Sequence, residues 1–230
     1  MTRPLISAIV PVFNGERHLR EALESIAAQE YEPLEIVVVD DGSTDGSRAI
    51  AEGFPGVRYA HQPNAGVAAA RNRALALARG EFVAFLDQDD RWTPDKLAVQ
   101  LPLLLDDPGA GLAVAKERIV LDDGVTELPR WVRPGSLEED YVVHLPGVVL
   151  ARRALFDTVG LFDPAFENGS DSDWIIRCRQ HGVVFAVADR ALLLRRIHRH
   201  NASHRESVSR SDIFRALHGA VRRNREQRRP

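Results

Sequence analysis

Short apolar runs alternate with segments of helical periodicity over about the first hundred residues. The apolar runs predict four strands, at Leu5–Val12, Leu34–Asp40, Val57–Ala60 and Phe82–Leu86. Helices are predicted where Leu19, Ala22, Leu23 and Ile26 share one face, over Ala68–Ala78, and after Thr93-Pro94. Gly80 is predicted to end the second of these helices as its C′ residue. Strands separated by helices predict a doubly wound α/β fold, with a mostly parallel central sheet flanked by helices.

The pattern changes after about residue 110. Strands are predicted at Leu112–Lys116 and Arg118–Leu121, followed by a turn at Asp122-Asp123-Gly124. Helices are predicted at Ala154–Val159 and Asp173–His181, an extended segment at Val183–Val187, and an amphipathic helix at Ser211–Arg223. The stretch from Trp131 to Leu145 has no readable pattern. We expect the second half to form a smaller region of different architecture.

The composition is that of an ordinary globular protein, with 44% hydrophobic and 27% charged residues in 230. This length favours one elaborated domain over two. The single cysteine, Cys178, excludes an internal disulfide framework and a zinc site built from several cysteines. The sequence shows neither an apolar run of membrane-spanning length nor a secretory signal. We therefore expect a soluble, cytoplasmic protein.

Charge is unevenly distributed along the chain. The formal net charge of −3 gives no general case for nucleic-acid binding. From Arg195 onward, however, eleven arginines stand against three acidic residues. Residues 206–230 are expected to form a basic amphipathic helix and tail, for which two interpretations stay open. In the first, the helix packs on its own domain or against a second subunit, as in a homodimer. In the second, its basic face makes peripheral contact with anionic lipid.

The sharpest chemical feature is the acidic segment Leu86-Asp87-Gln88-Asp89-Asp90 at the end of the fourth predicted strand. Residues two apart in an extended segment point the same way, so Asp87 and Asp89 share a face. Two adjacent carboxylates suit Mg²⁺ or Mn²⁺, which commonly add substrate phosphate oxygens. The alternative is a polar loop in which Asp90 or Thr93 caps the next helix. The position beyond a strand end favours the metal.

Three further residues near the same predicted sheet edge are compatible with nucleotide binding. Asp40 ends a buried strand, where its carboxylate can accept hydrogen bonds from a nucleobase or ribose. Phe13 follows the first strand, where an aromatic ring can stack on a base. Arg71 lies near the start of the alanine-rich helix, an arrangement typical of an anion site. The structural alternatives are a turn, a core phenylalanine and a surface arginine.

Several competing motifs are missing from the sequence. No G-x-G-x-x-G fingerprint follows the first predicted strand, and the chain has no Walker loop. It also has no G-x-S-x-G nucleophile elbow. The usual signatures of dinucleotide enzymes, P-loop NTPases and α/β-hydrolases are therefore absent.

In their order and spacing, four segments together resemble the family 2 glycosyltransferases of GT-A fold. They are Ile9-Val-Pro-Val-Phe-Asn-Gly-Glu, Val38-Val-Asp-Asp-Gly-Ser-Thr-Asp-Gly-Ser, Asn64-Ala-Gly-Val-Ala-Ala-Ala-Arg-Asn and Phe85-Leu-Asp-Gln-Asp-Asp. Three later segments are similar to the same family, Val159-Gly-Leu-Phe-Asp-Pro-Ala-Phe, Asp171-Ser-Asp-Trp-Ile-Ile-Arg and Arg196-Ile-His-Arg-His-Asn-Ala-Ser. The resemblance implies one GT-A domain over residues 1–205. Residues up to about 110 would bind the nucleotide-sugar, and the rest would supply the acceptor side and the catalytic base.

The resemblance also implies roles for residues on the nucleotide side. Pro11, Phe13 and Asp40 match the positions that receive the nucleobase, with Phe13 stacking and Asp40 accepting from a ring N–H. Arg71 would lie beside the base and phosphates, and Asp87 near the ribose. This set of residues is most similar to that of uracil-binding members, so a UDP-sugar is the expected donor, with guanine and thymine donors left open.

The metal and the base follow from the same resemblance. Asp89 matches the aspartate that holds Mn²⁺ or Mg²⁺ through the diphosphate, and His198 lies in a segment that sometimes reaches the metal. Asp171 matches the catalytic base. Family members usually carry Glu-Asp there, whereas this chain has Ser170-Asp171. Asp173 and Glu167 therefore stay open as the base.

The implied activity is inverting, metal-dependent transfer of a sugar from a nucleotide diphosphate to an acceptor hydroxyl. The chain lacks the Q-x-x-R-W segment of processive members, so a single addition is expected. Two alternatives are a nucleotidyltransferase that activates sugar phosphates and a nucleotide-sugar-binding module that has lost catalysis. The acceptor itself is not specified by the sequence.

Overall fold

The computed structural model describes residues 3–125, 128–129, 132, 137, 139–143, 145–167, 169–199, 201, 215 and 219. Within these ranges no helix is both long and apolar enough to cross a bilayer. The predicted helix Ser211–Arg223 lies outside the described residues except for Arg215 and Gly219, so its packing, dimer and lipid interpretations stay predictions.

The first half of the chain alternates strands and helices, as its pattern predicts. Its elements are β1 (Ile6–Val12), α1 (Leu19–Ala27), β2 (Leu34–Asp40), α2 (Ser47–Glu52), β3 (Val57–His61), α3 (Val67–Leu77) and β4 (Phe82–Phe85). β1 pairs in parallel with β2 and β4, and β2 pairs in parallel with β3. The carboxyl ends of these strands therefore meet at one edge of the sheet.

The second half extends the same sheet with strands of mixed direction. Its elements are β5 (Arg91–Trp92), α4 (Lys96–Leu105), β6 (Ala110–Leu121), β7 (Tyr141–Val142), a 3₁₀ turn (Pro146–Val148), β8 (Leu150–Arg152), α5 (Leu155–Thr158), α6 (Ser170–Gln180) and β9 (Val184–Ile197). Among the described residues the sheet has nine strands in the order β3-β2-β1-β4-β8-β6-β9-β5, with β7 paired to β6. β8 is antiparallel to both of its neighbours, β4 and β6.

Helices cover both faces of the sheet, and β2 shows why its sequence is almost continuously apolar. Ile36 and Val38 enter the core layer beneath α1, α2 and α4. Val37 and Val39 enter the opposite layer, with α3, α5 and α6. Successive strand residues point to opposite faces, so a strand covered on both sides must be apolar at every position.

Some local predictions differ from the structure. α3 ends at Leu77, and Gly80 is not its C′ residue, because the chain turns extended at Ala78 with ψ of 139°. Gly80 is required for space instead, since a Cβ there would lie 2.7 Å from the backbone nitrogen of Ser7. The two strands predicted around Lys116 form one bulged strand, β6, and Val183–Val187 is only the beginning of β9.

A lysine lies fully buried in the first turn of α4. Lys96 Nζ donates to Gln100 Oε1 and lies 4.7 Å from the centre of the Trp92 ring. Gln100 Nε2 donates to the carbonyl of Val148 at 2.7 Å, and Trp92 Nε1 donates to that of Gly147 at 3.1 Å. Burial lowers the pKa of Lys96 to about 7. The network supports the 3₁₀ turn from beneath.

We expect the Lys96→Met variant to lose a pH dependence of stability that the wild type shows. Between about pH 7 and 9 the folded Lys96 is neutral, whereas in the unfolded chain it keeps its proton, so the wild-type free energy of unfolding rises with pH. The rise is at most about 1.4 kcal/mol per pH unit. Urea unfolding at several pH values measures this slope.

The matched control is Lys116→Met, which removes the only other lysine in the sequence. Lys116 is partly exposed and pairs with Asp189, so the wild-type slope is expected to persist in this variant. An unchanged slope in Lys96→Met would contradict the prediction.

Candidate active site

The candidate site lies where β1, β2 and β4 end at the same edge of the sheet. In the sheet register Val12 lies opposite Asp40, and Ile9 lies opposite Phe85. The acidic segment 87–90 therefore emerges beside the residues that follow β1. Open α/β sheets bind ligands beyond the carboxyl ends of their strands, so this edge is a favourable place for a ligand.

Asp40 is almost completely buried at the end of β2, with 1% exposure. Its carboxylate accepts the backbone N–H of Ser43 and the hydroxyl of Tyr59, each at 2.8 Å. Burial, reinforced by this carboxylate, raises the pKa of Tyr59, so the phenol remains a donor. Two donors thus fix the orientation of Asp40, and each carboxylate oxygen keeps a lone pair for a further donor.

The next residue, Asp41, fixes the start of α3. Its buried carboxylate accepts the backbone N–H groups of Ala65 at 3.0 Å and Gly66 at 2.8 Å. Gly66 has φ of +88°, which glycine adopts without steric cost. Because these contacts hold the first turn, they also set the position of Arg71 further along the helix.

Arg71 forms an ion pair with one of the predicted acidic residues, Asp87. Its Nη2 donates to Asp87 Oδ1 at 2.7 Å, and its Cζ lies 5.7 Å from the centre of the Phe162 ring. The Arg71 side chain is 5% exposed, whereas that of Asp87 is 40% exposed. Arg71 Nε has no hydrogen-bond partner within the described ranges, which leaves a buried donor at the site.

Asp171 lies in the first turn of α6, near enough to the Arg71–Asp87 ion pair for both charges to act on its carboxyl. Burial raises the pKa of Asp171, Arg71 opposes the rise, and the charge of Asp87 adds to it. The backbone N–H of Ser172 donates to Asp171 Oδ1 at 2.6 Å. Ser170, where the family pattern has glutamate, is buried at 1% exposure. Of the two neighbours Ser170 and Asp171, only Asp171 therefore supplies a carboxylate.

The two other acids proposed as the base have different surroundings. Asp173 is buried and accepts from Arg177 Nε at 2.7 Å. Arg177 in turn donates to the carbonyls of Val159 and Leu161. Asp173 therefore belongs to an ion pair that anchors α6 to the preceding loop. Glu167 lies exposed ahead of the helix.

A small apolar cavity opens beside Asp171. Its lining consists of Asp171 and six mostly apolar neighbours, Phe85, Pro146, Val149, Phe162, Trp174 and Ile175. Trp174 is held in place by stacking on Phe156, with 4.5 Å between ring centres. The apolar lining is the physical source of the raised pKa, because it disfavours the charged form of the carboxyl.

The two predicted metal ligands lie in direct contact. His198 Nε2 is 2.8 Å from Asp89 Oδ2, and Asn201 Nδ2 donates to the same oxygen at 3.2 Å. The Asp89 side chain is 22% exposed and that of His198 10% exposed, so Asp89 is partly accessible to solvent. β9 brings His198 to this position, although the two residues are far apart in sequence.

These residues fit a divalent cation that takes part of its coordination from a ligand. A carboxylate oxygen is an ordinary donor for Mg²⁺ and Mn²⁺, and a neutral imidazole nitrogen is a common metal ligand in proteins. Mg²⁺ is commonly bound by few protein groups plus phosphates. In the described part of the chain no three His, Cys, Asp or Glu residues form a metal-binding group. Phosphate oxygens would therefore have to complete the coordination.

Arg196, at the end of β9, holds the acidic segment in place. Its backbone N–H donates to Asp90 Oδ1 at 2.8 Å, and its Nε donates to the carbonyl of Asp89 at 3.0 Å. Burial raises the pKa of Asp90 well above its ordinary range, and the charges of Asp89 and Asp87 add to the rise. The backbone of Arg196 thus holds Asp90, and its side chain holds Asp89.

Sequence reasoning missed His18, which precedes α1. His18 is 7% exposed, and its ring centre lies 5.1 Å from that of His198. Burial lowers the pKa of His18, which favours the neutral ring. Asp122, at the end of β6, lies 3.7 Å from His18 Nε2 and accepts from Arg196. Nothing in the local pattern around His18 signals these contacts, because they join distant segments.

The structure brings most of the predicted site residues to one edge. One group consists of the Arg71–Asp87 ion pair and the nearby Asp171. A second group consists of Asp89, two residues after Asp87, and His198. Phe13 and Asp40 follow or end the adjacent strands, and the Phe13 side chain is 47% exposed. Pro11 is buried within β1. Their nucleotide and catalytic roles remain predictions.

Comparison with known proteins identifies the family. The model for glycosyl transferase family 2 matches residues 7–156. The chain belongs to glycosyl transferase family 2. It is 32% identical over 197 residues to an uncharacterized glycosyltransferase of Rickettsia typhi. That match covers 79% of this chain and 61% of the relative. The family expected from the sequence is confirmed.

Solved structures confirm the fold class. The mannosyltransferase PcManGT from Pyrobaculum calidifontis, in complex with GDP-Man and Mn²⁺, matches with a TM-score of 0.75 and 24% identity. The match covers 96% of this chain and 65% of that one. S. aureus TarS 1-349, in complex with UDP-GlcNAc, matches with a TM-score of 0.71 and 24% identity, over 85% and 59% of the two chains. This family 2 member thus has the predicted GT-A type of α/β fold.

The match is partial on the side of the relatives. The chain spans less than two thirds of the length of the related proteins, from 31% to 61% for three of them. The comparisons establish the family and the fold. Because the match to the relatives is partial, the activity of this family 2 chain is argued from its own residues.

Proposed function

We propose that this chain transfers a sugar from a nucleotide-diphosphate donor to an acceptor hydroxyl, with a divalent cation and with inversion. The observation that carries the proposal is that Arg71 pairs with Asp87 and that the charges of both residues act on the carboxyl of Asp171. This arrangement brings an acid from α6 to the edge where the acids that follow β4 emerge. Donor-binding and proton-accepting groups are thereby supplied by separate halves of the chain.

The nucleotide side of the proposal rests on the ends of β1 and β2. The half-exposed ring of Phe13 is available for stacking, and the oriented carboxylate of Asp40 can accept from a ring N–H. TarS is described with UDP-GlcNAc and PcManGT with GDP-Man and Mn²⁺. We propose a UDP-sugar as the donor to test first, with GDP and dTDP donors beside it.

Asp89 and His198 are the residues that would hold Mn²⁺ or Mg²⁺. The cation supplies positive charge that neutralises the diphosphate as it departs. In the structure His198 Nε2 is hydrogen-bonded to Asp89 Oδ2, which as a carboxylate oxygen accepts the bond. Opening this bond would free a lone pair on Asp89, and His198 Nε2 could bind a cation once its proton had moved to Nδ1 or to solvent. The buried Arg71 guanidinium adds a second positive group at the same edge.

Asp171 is proposed as the base that takes the proton of the acceptor hydroxyl. A hydroxyl is a weak nucleophile, and a carboxylate that removes its proton as the new bond forms accelerates the reaction. The raised pKa of Asp171 makes it a stronger base than an exposed aspartate. One base and direct displacement give inversion without a covalent intermediate, and Asp171 is the carboxylate that we assign to this role.

A non-catalytic nucleotide-sugar-binding module is the second candidate, because Ser170 stands where the family pattern has glutamate. A nucleotidyltransferase is disfavoured, since the loop after β1, Phe13-Asn-Gly-Glu-Arg, lacks the glycine- and arginine-rich character expected of such enzymes.

The buried single cysteine, Cys178, suits a reducing compartment, and we propose the cytoplasm.

A donor screen tests the proposed function. UDP-, GDP- and dTDP-sugars are incubated with the protein and Mn²⁺, Mg²⁺ or EDTA, and release of nucleoside diphosphate is followed by NMR together with donor binding. We expect metal-dependent release with one base, strongest for UDP. Binding without release would support the inactive module, and absence of binding to every donor would refute both.

A further inference from the structure

Gln88, between the two acids of the segment that follows β4, bonds the main chain of Phe13 at two points. The Phe13 backbone N–H donates to Gln88 Oε1 at 2.8 Å. Gln88 Nε2 donates in return to the Phe13 carbonyl at 3.0 Å. The side-chain amide thus pairs with both polar groups of one residue, as a neighbouring strand would.

The residues after Phe13 are held from the opposite side. Backbone N–H groups of this loop donate to side chains of the loop after β2 and of the first residue of α2, Asn14 to Ser43, Glu16 to Asp45 and Gly15 to Ser47, at 2.7–3.0 Å. The reverse contacts come from the backbone N–H groups of Thr44 to Asn14 Oδ1 and of Gly46 to Glu16 Oε2. Among these contacts, those of Gln88 tie the loop to the segment after β4.

Gly15 provides the space for the Gln88 side chain. A Cβ added at Gly15 would lie 2.4 Å from Gln88 Oε1 and 2.7 Å from its Cδ. Both distances are shorter than any tolerated contact, so a methyl group at this position would push the Gln88 amide away from Phe13. Gly15 is not among the residues with positive φ, so alanine is compatible with its backbone.

We propose that Gln88 is a positioning residue that aligns the nucleobase-binding Phe13 with the cation- and diphosphate-binding segment 87–89. This rests on the proposed function, because it assumes a nucleotide that reaches both places. Asp87 reaches Arg71 and Asp89 reaches His198, whereas the side chain of Gln88 between them bonds the main chain of Phe13. Gln88 would thereby hold the base-stacking residue at a fixed distance from the two aspartates. A ligand that occupies both subsites binds more tightly when the distance between them is fixed than when they move independently. Less conformational entropy is then lost on binding.

Three probes separate alignment from a general structural role. They are UDP with Mn²⁺, which spans both subsites, uridine, which occupies the base subsite, and inorganic pyrophosphate with Mn²⁺, which occupies the other. We expect Gln88→Ala to raise the dissociation constant for UDP, measured by calorimetry, roughly tenfold. This is the usual effect of losing one intramolecular hydrogen bond. Uridine and pyrophosphate are expected to keep their affinities within about twofold.

Further variants test the geometry. Gln88→Glu keeps the acceptor for the Phe13 N–H but sets a second carboxylate oxygen against the Phe13 carbonyl. Because these two acceptors repel each other, we expect a loss for UDP at least as large as with alanine. Gly15→Ala should reproduce Gln88→Ala, and the double variant should be no weaker than either single one, because both remove the same contact. Gly109→Ala, in the turn between α4 and β6, controls for an added methyl group and should bind UDP as the wild type does.

Each outcome bears on the proposal. Unchanged UDP affinity in Gln88→Ala, or an equal loss for all three probes, overturns the alignment role. Additive effects of Gly15→Ala and Gln88→Ala overturn the contact on which it rests. Failure of the wild type to bind any nucleoside diphosphate overturns the proposed function itself, and should GDP bind in place of UDP, GDP and guanosine serve as the probes.

Discussion

Replacement of Asp171 by asparagine is expected to lower the rate of sugar transfer roughly 10²–10⁴-fold, the usual contribution of a general base. Nucleotide affinity should stay near the wild-type value, because Asp171 lies on α6 and not among the residues proposed to hold the nucleotide. Steady-state rates with saturating donor, together with the dissociation constant for UDP, measure the two effects separately.

The pH profile gives a second readout for Asp171. The base must be ionised, and burial raises the pKa of its carboxyl, so wild-type kcat/KM should fall with acid at a pH above the usual range for aspartate. Asp171→Asn should lack this acid limb in its residual activity. An unaltered limb would assign the ionisation to another group.

Asp173→Asn and Glu167→Gln are the matched comparisons. Asp173 pairs with Arg177, so its replacement should lower the melting temperature more than it lowers turnover at a temperature where the variant is folded. Glu167 lies exposed ahead of the helix, and its replacement should change transfer little. A larger loss of turnover in either variant than in Asp171→Asn would show that the base has been misassigned.

The second large effect is expected from Asp89→Ala, which should abolish the Mn²⁺-dependent part of donor binding. In the wild type, Mn²⁺ should tighten UDP binding, and this enhancement should disappear when the Asp89 carboxylate is removed. The measurement is calorimetric titration of UDP with Mn²⁺ and with EDTA. Binding in EDTA should be similar in wild type and variant.

Asp189→Ala provides the control for loss of an aspartate, because Asp189 is 88% exposed in β9 and pairs with Lys116. His198→Ala should share the phenotype of Asp89→Ala in weaker form, since the phosphates and Asp89 remain. An Mn²⁺ enhancement in Asp89→Ala equal to that of the wild type would refute the ligand role.

The first half of the fold could be predicted because its signals are local. β2 is apolar at successive positions since helices cover both sheet faces, and the face of α1 is marked by the spacing of its buried residues. Gly80 was misjudged because the need for glycine there comes from Ser7, seventy-three residues earlier in the chain. The full length of β9 was not predicted, because charged and exposed residues interrupt its apolar pattern.

The acids at strand ends could also be predicted, since their place beyond a buried strand is visible in sequence. The partners that orient them could not. Tyr59 on Asp40, Arg196 on Asp90 and His18 beside His198 depend on packing between distant segments. The resemblance to the family supplied Asp171 and His198, for which periodicity and spacing alone give no signal.

The position of β8 has a consequence for engineering. This short strand comes from the second half of the sequence, yet it lies between β4 and β6 and pairs with both. A fragment cut near residue 110 would expose the edge of β4, which invites aggregation. Chimeras that exchange acceptor specificity should therefore graft loops onto an intact sheet, because splicing at the midpoint would break it.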